Sequence, residues 1–154
     1  MKNEIFEGEK AQIRAFKRED SGAVCALNRL LGPGSAATPA FFTAHCLGPG
    51  ALAKGWVAEV SGKIAGFGIA HDFVSFGAGG KIRQIDLLFV AEKFRGAGIG
   101  TALIEKISQD AKKSKCIRID IEVEEKNKTA RNLYASLNYE SDSAKKLRYK
   151  KYLK

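Results

Sequence analysis

The sequence has no apolar run approaching the roughly 18 residues that a membrane-spanning helix needs, and its first residues, Met1-Lys2-Asn3-Glu4-Ile5, carry no signal-peptide core. Both absences predict a soluble, cytoplasmic protein. There is no Cys-x-x-Cys, and the cysteine count is odd: Cys25, Cys46 and Cys116. That excludes a disulfide framework and a zinc site and predicts reduced, mostly buried thiols. His45 and His71 are isolated, with no second ligand at metal spacing, so no metal is expected. Each histidine reads as surface or satisfied core, though His71 follows a predicted strand and could face a cleft. Cys116 has no evident base partner and is not expected to be a nucleophile.

What is present is a globular composition. The chain has 154 residues, of which 45% are hydrophobic, enough for one domain with one core. The net charge of +9 suggests an anionic partner, and a nucleic acid or a phosphate-bearing cofactor would both satisfy it. Much of the excess lies in Lys112–Lys115 and in the C-terminal run Lys145–Lys154, which also read as a solvated face and tail. No helix-turn-helix, RNP or zinc pattern accompanies the charge, and aromatics do not interleave the basic runs, so no nucleic-acid partner is expected.

The periodicities predict an α+β fold. Gln12–Phe16 alternates as a first strand. A helix capped by Asp20 or Ser21 carries Val24, Leu27, Leu30 and Leu31 on one face and stops at Gly32-Pro33-Gly34. Thr38-Pro39 opens a second helix through Phe41, Phe42 and Leu47, stopped by Gly48-Pro49-Gly50. Strands Trp56–Val60 and Lys63–Ala70 flank the turn Ser61-Gly62, and Gly77–Gly80 turns into a strand Ile82–Val90, giving an antiparallel meander. Ile99, Leu103, Ile107 and Ala111 then mark an amphipathic helix. Ile117, Ile119, Ile121 and Val123 alternate with Arg118, Asp120, Glu122 and Glu124 as a strand. Asn127 caps a helix whose Ala130, Leu133, Tyr134 and Leu137 share a face, and Asn138 suits the left-handed position after it. A last strand is expected at Leu147–Leu153, with a weak one near Tyr139. The sum is a mixed sheet with helices in a single domain, residues 1–154.

Between the strand ending at Val90 and the next helix lies Arg95-Gly96-Ala97-Gly98-Ile99-Gly100. A helix start offers unpaired N–H groups and a positive dipole end. Glycines let a phosphate approach them, and Arg95 adds a fixed charge. A diphosphate is the natural guest. The run lacks the Gly-Lys-Ser/Thr of a Walker loop. It also departs from the dinucleotide fingerprint, with Thr101 at the third glycine position and only one crossover following the meander.

At this point Ile85–Tyr139 resembles the central motif region of the GNAT superfamily of N-acetyltransferases. Its signature Arg/Gln-x-x-Gly-x-Gly/Ala is matched by Arg95, Gly98 and Gly100. Leu88-Phe89-Val90 resembles the strand beside which that family lays pantetheine. Asn127-x-x-Ala130-x-x-Leu133-Tyr134 resembles its Asn-x-x-Ala-x-x-Leu-Tyr helix, and Leu137-Asn138-Tyr139 its Leu-Gly-Phe ending. The resemblance implies a central, mostly antiparallel sheet flanked by helices. It also implies direct transfer of acetyl from acetyl-CoA to a primary amine in a ternary complex. The implied cofactor contacts are Phe89, Val90, Arg95, Gly96, Ala97, Gly98, Ile99, Gly100, Thr101, Asn127 and Tyr134. A backbone amide near Phe89 or Val90 would stabilise the oxyanion, and Tyr134 would protonate the leaving thiolate. Asp86, read as sharing strand parity with Leu88 and Val90, is the candidate base by likeness to the polyamine-acetylating branch. Asp120, Glu122 and Glu124 are the other acids that could attract an amine. The loops Gly32–Ala37 and Gly48–Gly55 fall where that family shapes its acceptor site. A small-molecule amine is the expected acceptor. A protein lysine or N-terminus, or a non-catalytic acyl-CoA-binding module, are the alternatives. A homodimer is common in that family.

Overall fold

A computed structural model describes residues 10–142 and 150–153. The chain divides into two compact units, Met1–Glu122 and Val123–Lys154. The first holds a five-stranded sheet in sequence order: β1 (Gln12–Ala15), β2 (Lys54–Val60), β3 (Lys63–Ser75), β4 (Gly80–Val90) and β5 (Cys116–Ile121). β1 to β4 are antiparallel, and β5 joins β4 in parallel. Helices α1 (Ser21–Leu31) and α2 (Pro39–Cys46) follow β1, and α3 (Ile99–Lys113) makes the β4–β5 crossover. The mixed sheet with helices is the α+β architecture the periodicities predict. No helix among the described residues is long and apolar enough to cross a membrane.

Local chemistry places these elements. Ser61 and Gly62 both take positive φ (49° and 73°), which closes the β2–β3 hairpin with the twist its strands need. Thr38 Oγ1 accepts the Phe41 N–H at 3.1 Å and Pro39 fills the first turn, so α2 starts where its capping residues predict. Helix α3 buries Ile99, Leu103, Ile107 and Ala111, the expected stripe, together with Ile104. The large aliphatics among these each contribute about 1.5–3 kcal/mol on full burial. The sheet packs on both faces. Trp56, Ala58, Ile85, Leu88 and Val90 lie in the cluster that contains the α3 stripe, and Val57, Phe67, Ile69, Leu87 and Phe89 in the cluster that contains Val24, Cys25 and Phe42.

Arg83, fully buried, ties α3 to the sheet. It donates to the Asp72 carboxylate on β3 and, at 2.9 Å, to Asp110 of α3, which Lys54 of β2 also binds at 2.8 Å. Nothing in the hydrophobic pattern announces this network, because a buried arginine in a strand looks like any solvent-facing one.

Several expectations are corrected. On α1, Leu30 is 68% exposed and Leu31 is exposed too, whereas Cys25 and Asn28 are buried beside Val24. The face that α1 buries runs through Val24, Cys25 and Asn28 and does not include Leu30 or Leu31. Asp20 stands at the α1 N-cap position but does not cap the helix. Its carboxylate instead takes Arg14 bidentately (2.7 and 2.9 Å) and the Lys17 N–H (2.7 Å). β5 ends at Ile121, so Glu122 and Glu124 are not on it, and Ile117 is exposed where the β4–β5 register slips. Tyr139 lies in no strand, because it closes a helix end instead. The expected strand Leu147–Leu153 falls partly outside the described residues, and residues 150–153 carry no strand.

Candidate functional site

The loop after β4 makes one 3-10 turn, Glu92–Phe94, before the glycines. Gly96 and Gly98 adopt φ of 80° and 76°, and a Cβ at either would meet nothing within 4 Å. The conformation, not crowding, demands glycine there. Gly98 is the α3 N-cap residue. No side chain caps the helix, and no acid lies in its first turn. The N–H groups that open α3 therefore face outward without a side-chain partner, beside open space, a fit for a diphosphate. Ile99 is the exception within the motif: its side chain is core, so its backbone alone can serve a ligand. Arg95 is tied down at one nitrogen. Its Nε donates to the Val90 carbonyl at 2.9 Å, and its guanidinium lies 5.5 Å from the Phe89 ring centroid.

That bond also fixes the strand's polarity. Ala91 donates its N–H to Ala65 of β3 at 2.9 Å, so the Val90 carbonyl and N–H face away from β3, and Phe89 faces its own toward it. β5 pairs with β4 only from Lys81 to Ile85. Among the described residues no strand borders the Val90 amide on that side. Of the two amides offered by the sequence, Val90 carries the one turned away from β3.

Asp86 is placed by a defect in the ladder. Ala70 pairs with Ile85 and Ile69 with Leu87, which leaves Asp86 as an extra residue, a β-bulge. The bulge breaks the alternation. Leu88 and Val90 pack toward α3, but Asp86 joins Leu87 on the opposite face, so the expected common parity of Asp86, Leu88 and Val90 does not hold. There the Asp86 carboxylate lies 2.7 Å from Nδ1 of His71, which β3 supplies. An ionised carboxylate only accepts, so Nδ1 donates to it, which leaves Nε2 as the ring nitrogen not bonded to Asp86. The pair lines a pocket of about 490 Å3 whose other walls come from α1, α2, the loops beside them and the sheet: Asn28, Ser35, Phe41, Phe42, His45, Leu52 and Leu87 among them. Asn28 Nδ2 donates to Ser35 Oγ at 2.8 Å, which pins the Gly32–Ala37 connection.

In the second unit α4 spans Lys128–Ser136. Asn127 Oδ1 accepts the Ala130 N–H at 3.1 Å and so acts as its N-cap. Ala130, Leu133, Tyr134 and Leu137 are its half-buried residues, the face the spacing predicts. The end is a Schellman motif. Asn138 is left-handed (φ 62°), its N–H bonds to Ala135, and the Tyr139 N–H bonds to Tyr134 at 3.0 Å. The two tyrosine rings lie 5.9 Å apart, as the hydrophobic contact of that motif. Burial, and then Tyr139, push the Tyr134 phenol above its usual value, so it holds its proton. On β5, Asp120 is bound by Arg118 at 2.8 Å.

The model of the Acetyltransferase (GNAT) family matches residues 32–139. The chain belongs to this family. An uncharacterized N-acetyltransferase of Methanocaldococcus jannaschii is 39% identical over 87 residues, 55% of this chain. The match covers 38% of that relative's length. Solved structures share the GNAT fold at low identity. An aminoglycoside N-acetyltransferase in complex with CoA superposes with a TM-score of 0.79 at 18% identity, over 96% of this chain and 98% of its own. A ribosomal-protein-alanine N-acetyltransferase from Brucella melitensis biovar Abortus 2308 gives 0.73 at 22% identity, over 92% and 100%.

The residues missed by sequence reasoning are His71 as a partner of Asp86, and Asn28. Only a bulge brings His71 and Asp86 together, and bulges leave no periodic signal. Asn28 sat at the right spacing beside Val24, but its polarity hid its burial.

Proposed function

We propose that this chain transfers an acetyl group from acetyl-CoA to the primary amine of a small molecule, by direct attack in a ternary complex. The observation that carries the reading is the Asp86–His71 pair set into an apolar pocket, with Asp86 on the strand that leads into the glycine loop. Acetyl-CoA supplies the activated thioester. The backbone at Gly96, Ala97, Gly98, Ile99, Gly100 and Thr101 would hold its diphosphate, helped by the free nitrogens of Arg95. The Val90 amide would orient the acyl oxygen, and Phe89 and Asn127 would complete the cofactor contacts.

An ammonium cannot attack, because it has no lone pair. Asp86 attracts it and holds the imidazole tautomer, and His71 Nε2 takes the proton. This refines the role of Asp86 from base to partner of the base. Tyr134 donates a proton to the leaving thiolate, a role supported by its place in the Asn127 helix motif and by its retained proton. One catalytic domain spans the chain, a view supported by the family match running through both units. A cytoplasmic location fits its three free cysteines.

The test is isothermal titration with acetyl-CoA followed by thiol-release assays against amines and peptides. Binding with release on a small amine supports the reading. Release on peptides alone moves it to a protein acceptor. Binding without release on any acceptor makes the chain an acyl-CoA-binding module.

A further inference from the structure

The pocket's lining says which amine. We propose that the acceptor is a monocationic amine with an apolar body of aryl size, and not a polyamine or other polycation. The inference rests on the acetyl-transfer reading and narrows its acceptor.

Three observations carry it. The first is charge. Among the described residues lining the pocket, Asp86 is the single carboxylate, and no lysine or arginine is present. It matches one ammonium. A second ammonium would be desolvated against apolar walls with no counter-charge. The chain's net charge of +9 also repels polycations at long range.

The second is the wall chemistry. Phe41, Phe42, Leu52, Ile69 and Leu87 face the cavity. The two remaining amide and hydroxyl groups, of Asn28 and Ser35, bond to each other at 2.8 Å. They offer little to the many hydroxyls of a sugar.

The third is unpartnered apolar surface at the rim. Phe41 is 53% exposed and Leu52 is 73% exposed. The Phe41 ring is already held in place, 4.3 Å from the His45 ring and edge-on to Phe42 at 6.5 Å. A rigid aromatic face of this kind is a stacking surface for a second ring. The volume of about 490 Å3 admits such a molecule with its amine at Asp86 and its ring at Phe41.

The experiment uses 2-phenylethylamine and spermidine as probes, each titrated calorimetrically into the protein with CoA present and each assayed for thiol release with acetyl-CoA. Phenylethylamine should bind and show kcat/KM about tenfold or more above spermidine. Leu52→Glu, a change at the exposed rim, should narrow that ratio by about tenfold by giving a second ammonium a partner. Equal or better use of spermidine by the unaltered protein, or absence of phenylethylamine binding to protein that binds acetyl-CoA, overturns the proposal and leaves acetyl transfer standing. Failure to bind acetyl-CoA sinks the acetyl-transfer reading itself.

Discussion

Asp86 reaches His71 because β4 carries one residue too many. The slip that pairs Ala70 with Ile85 and Ile69 with Leu87 leaves Asp86 between two rungs, with its Oδ2 at 2.7 Å from Nδ1 of His71. Had β4 kept the alternation of Leu88 and Val90 without the bulge, Asp86 would face α3, and the polar pair would not line the pocket that α1 and α2 cover. The bulge is thus what joins a carboxylate from one strand to an imidazole from the next.

If this pair acts as one unit in taking the amine's proton, Asp86→Asn and His71→Gln should each lower kcat/KM by about 100-fold or more. The double variant should lose no more than the worse single, since parts of one unit are not additive. Thiol-release kinetics on the three proteins check this. Fully additive losses would mean that the two residues act separately.

For Tyr134, the Phe substitution should lower kcat by about 100-fold while leaving the acetyl-CoA dissociation constant unchanged. The phenol is raised by burial and then by Tyr139, so the proton donor stays loaded through neutral pH and past the ordinary tyrosine value near 10. The pH–rate profile of the unaltered protein should then show no fall from this group below that value. Turnover by Tyr134→Phe equal to the parent at every pH would remove the acid role.

Gly98→Glu should abolish acetyl-CoA binding in calorimetry, because it sets a negative charge at the α3 start. Gly98→Ala is the milder control. Its φ of 76° costs an L-residue about 1–2 kcal/mol, read as a lowered urea midpoint. Unchanged affinity in Gly98→Glu would mean that the diphosphate binds elsewhere.

Arg83→Met should destabilise the fold by about 3–5 kcal/mol, since it leaves Asp72 and Asp110 without their buried cation. Arg83 hydrogen bonds hold Asp72 below the usual carboxylate range. Asp110 feels burial pushing it up, but hydrogen bonds from Lys54 and Arg83 outweigh that and bring it down too. Both groups are depressed in the folded state, so their stabilisation is complete above the unfolded value near 3.9 and is lost as pH falls through the folded values. Urea denaturation at pH 7 and at pH 3 should show a smaller acid loss in the variant than in the parent.

Much was legible in the sequence because it is written in spacing. The α3 stripe Ile99–Leu103–Ile107–Ala111, the Thr38-Pro39 start, the Ser61-Gly62 hairpin and the Asn127 cap each depend on residues a few positions apart. The glycine loop was legible for the same reason, since its glycines, its arginine and the helix start are contiguous. The α1 face departs from the expected stripe because a helix's own spacing says where a stripe could lie, not which side the rest of the fold covers. Leu30 and Leu31 are exposed, and Asn28 is covered.

The sequence by itself determined the local devices: turns, caps, amphipathic faces, and a strand feeding an anion-ready helix start. The tertiary structure alone decided which distant groups meet. Register joined Asp86 to His71, and with it the strand parity that sequence alternation had assigned to Asp86 was reversed. Packing buried Arg83 between Asp72 and Asp110, and docking of α1 and α2 on the sheet shaped the pocket. These are relations between chain segments far apart in sequence. Their energy comes from burial and pairing that no single segment carries, and for that reason no local pattern records them.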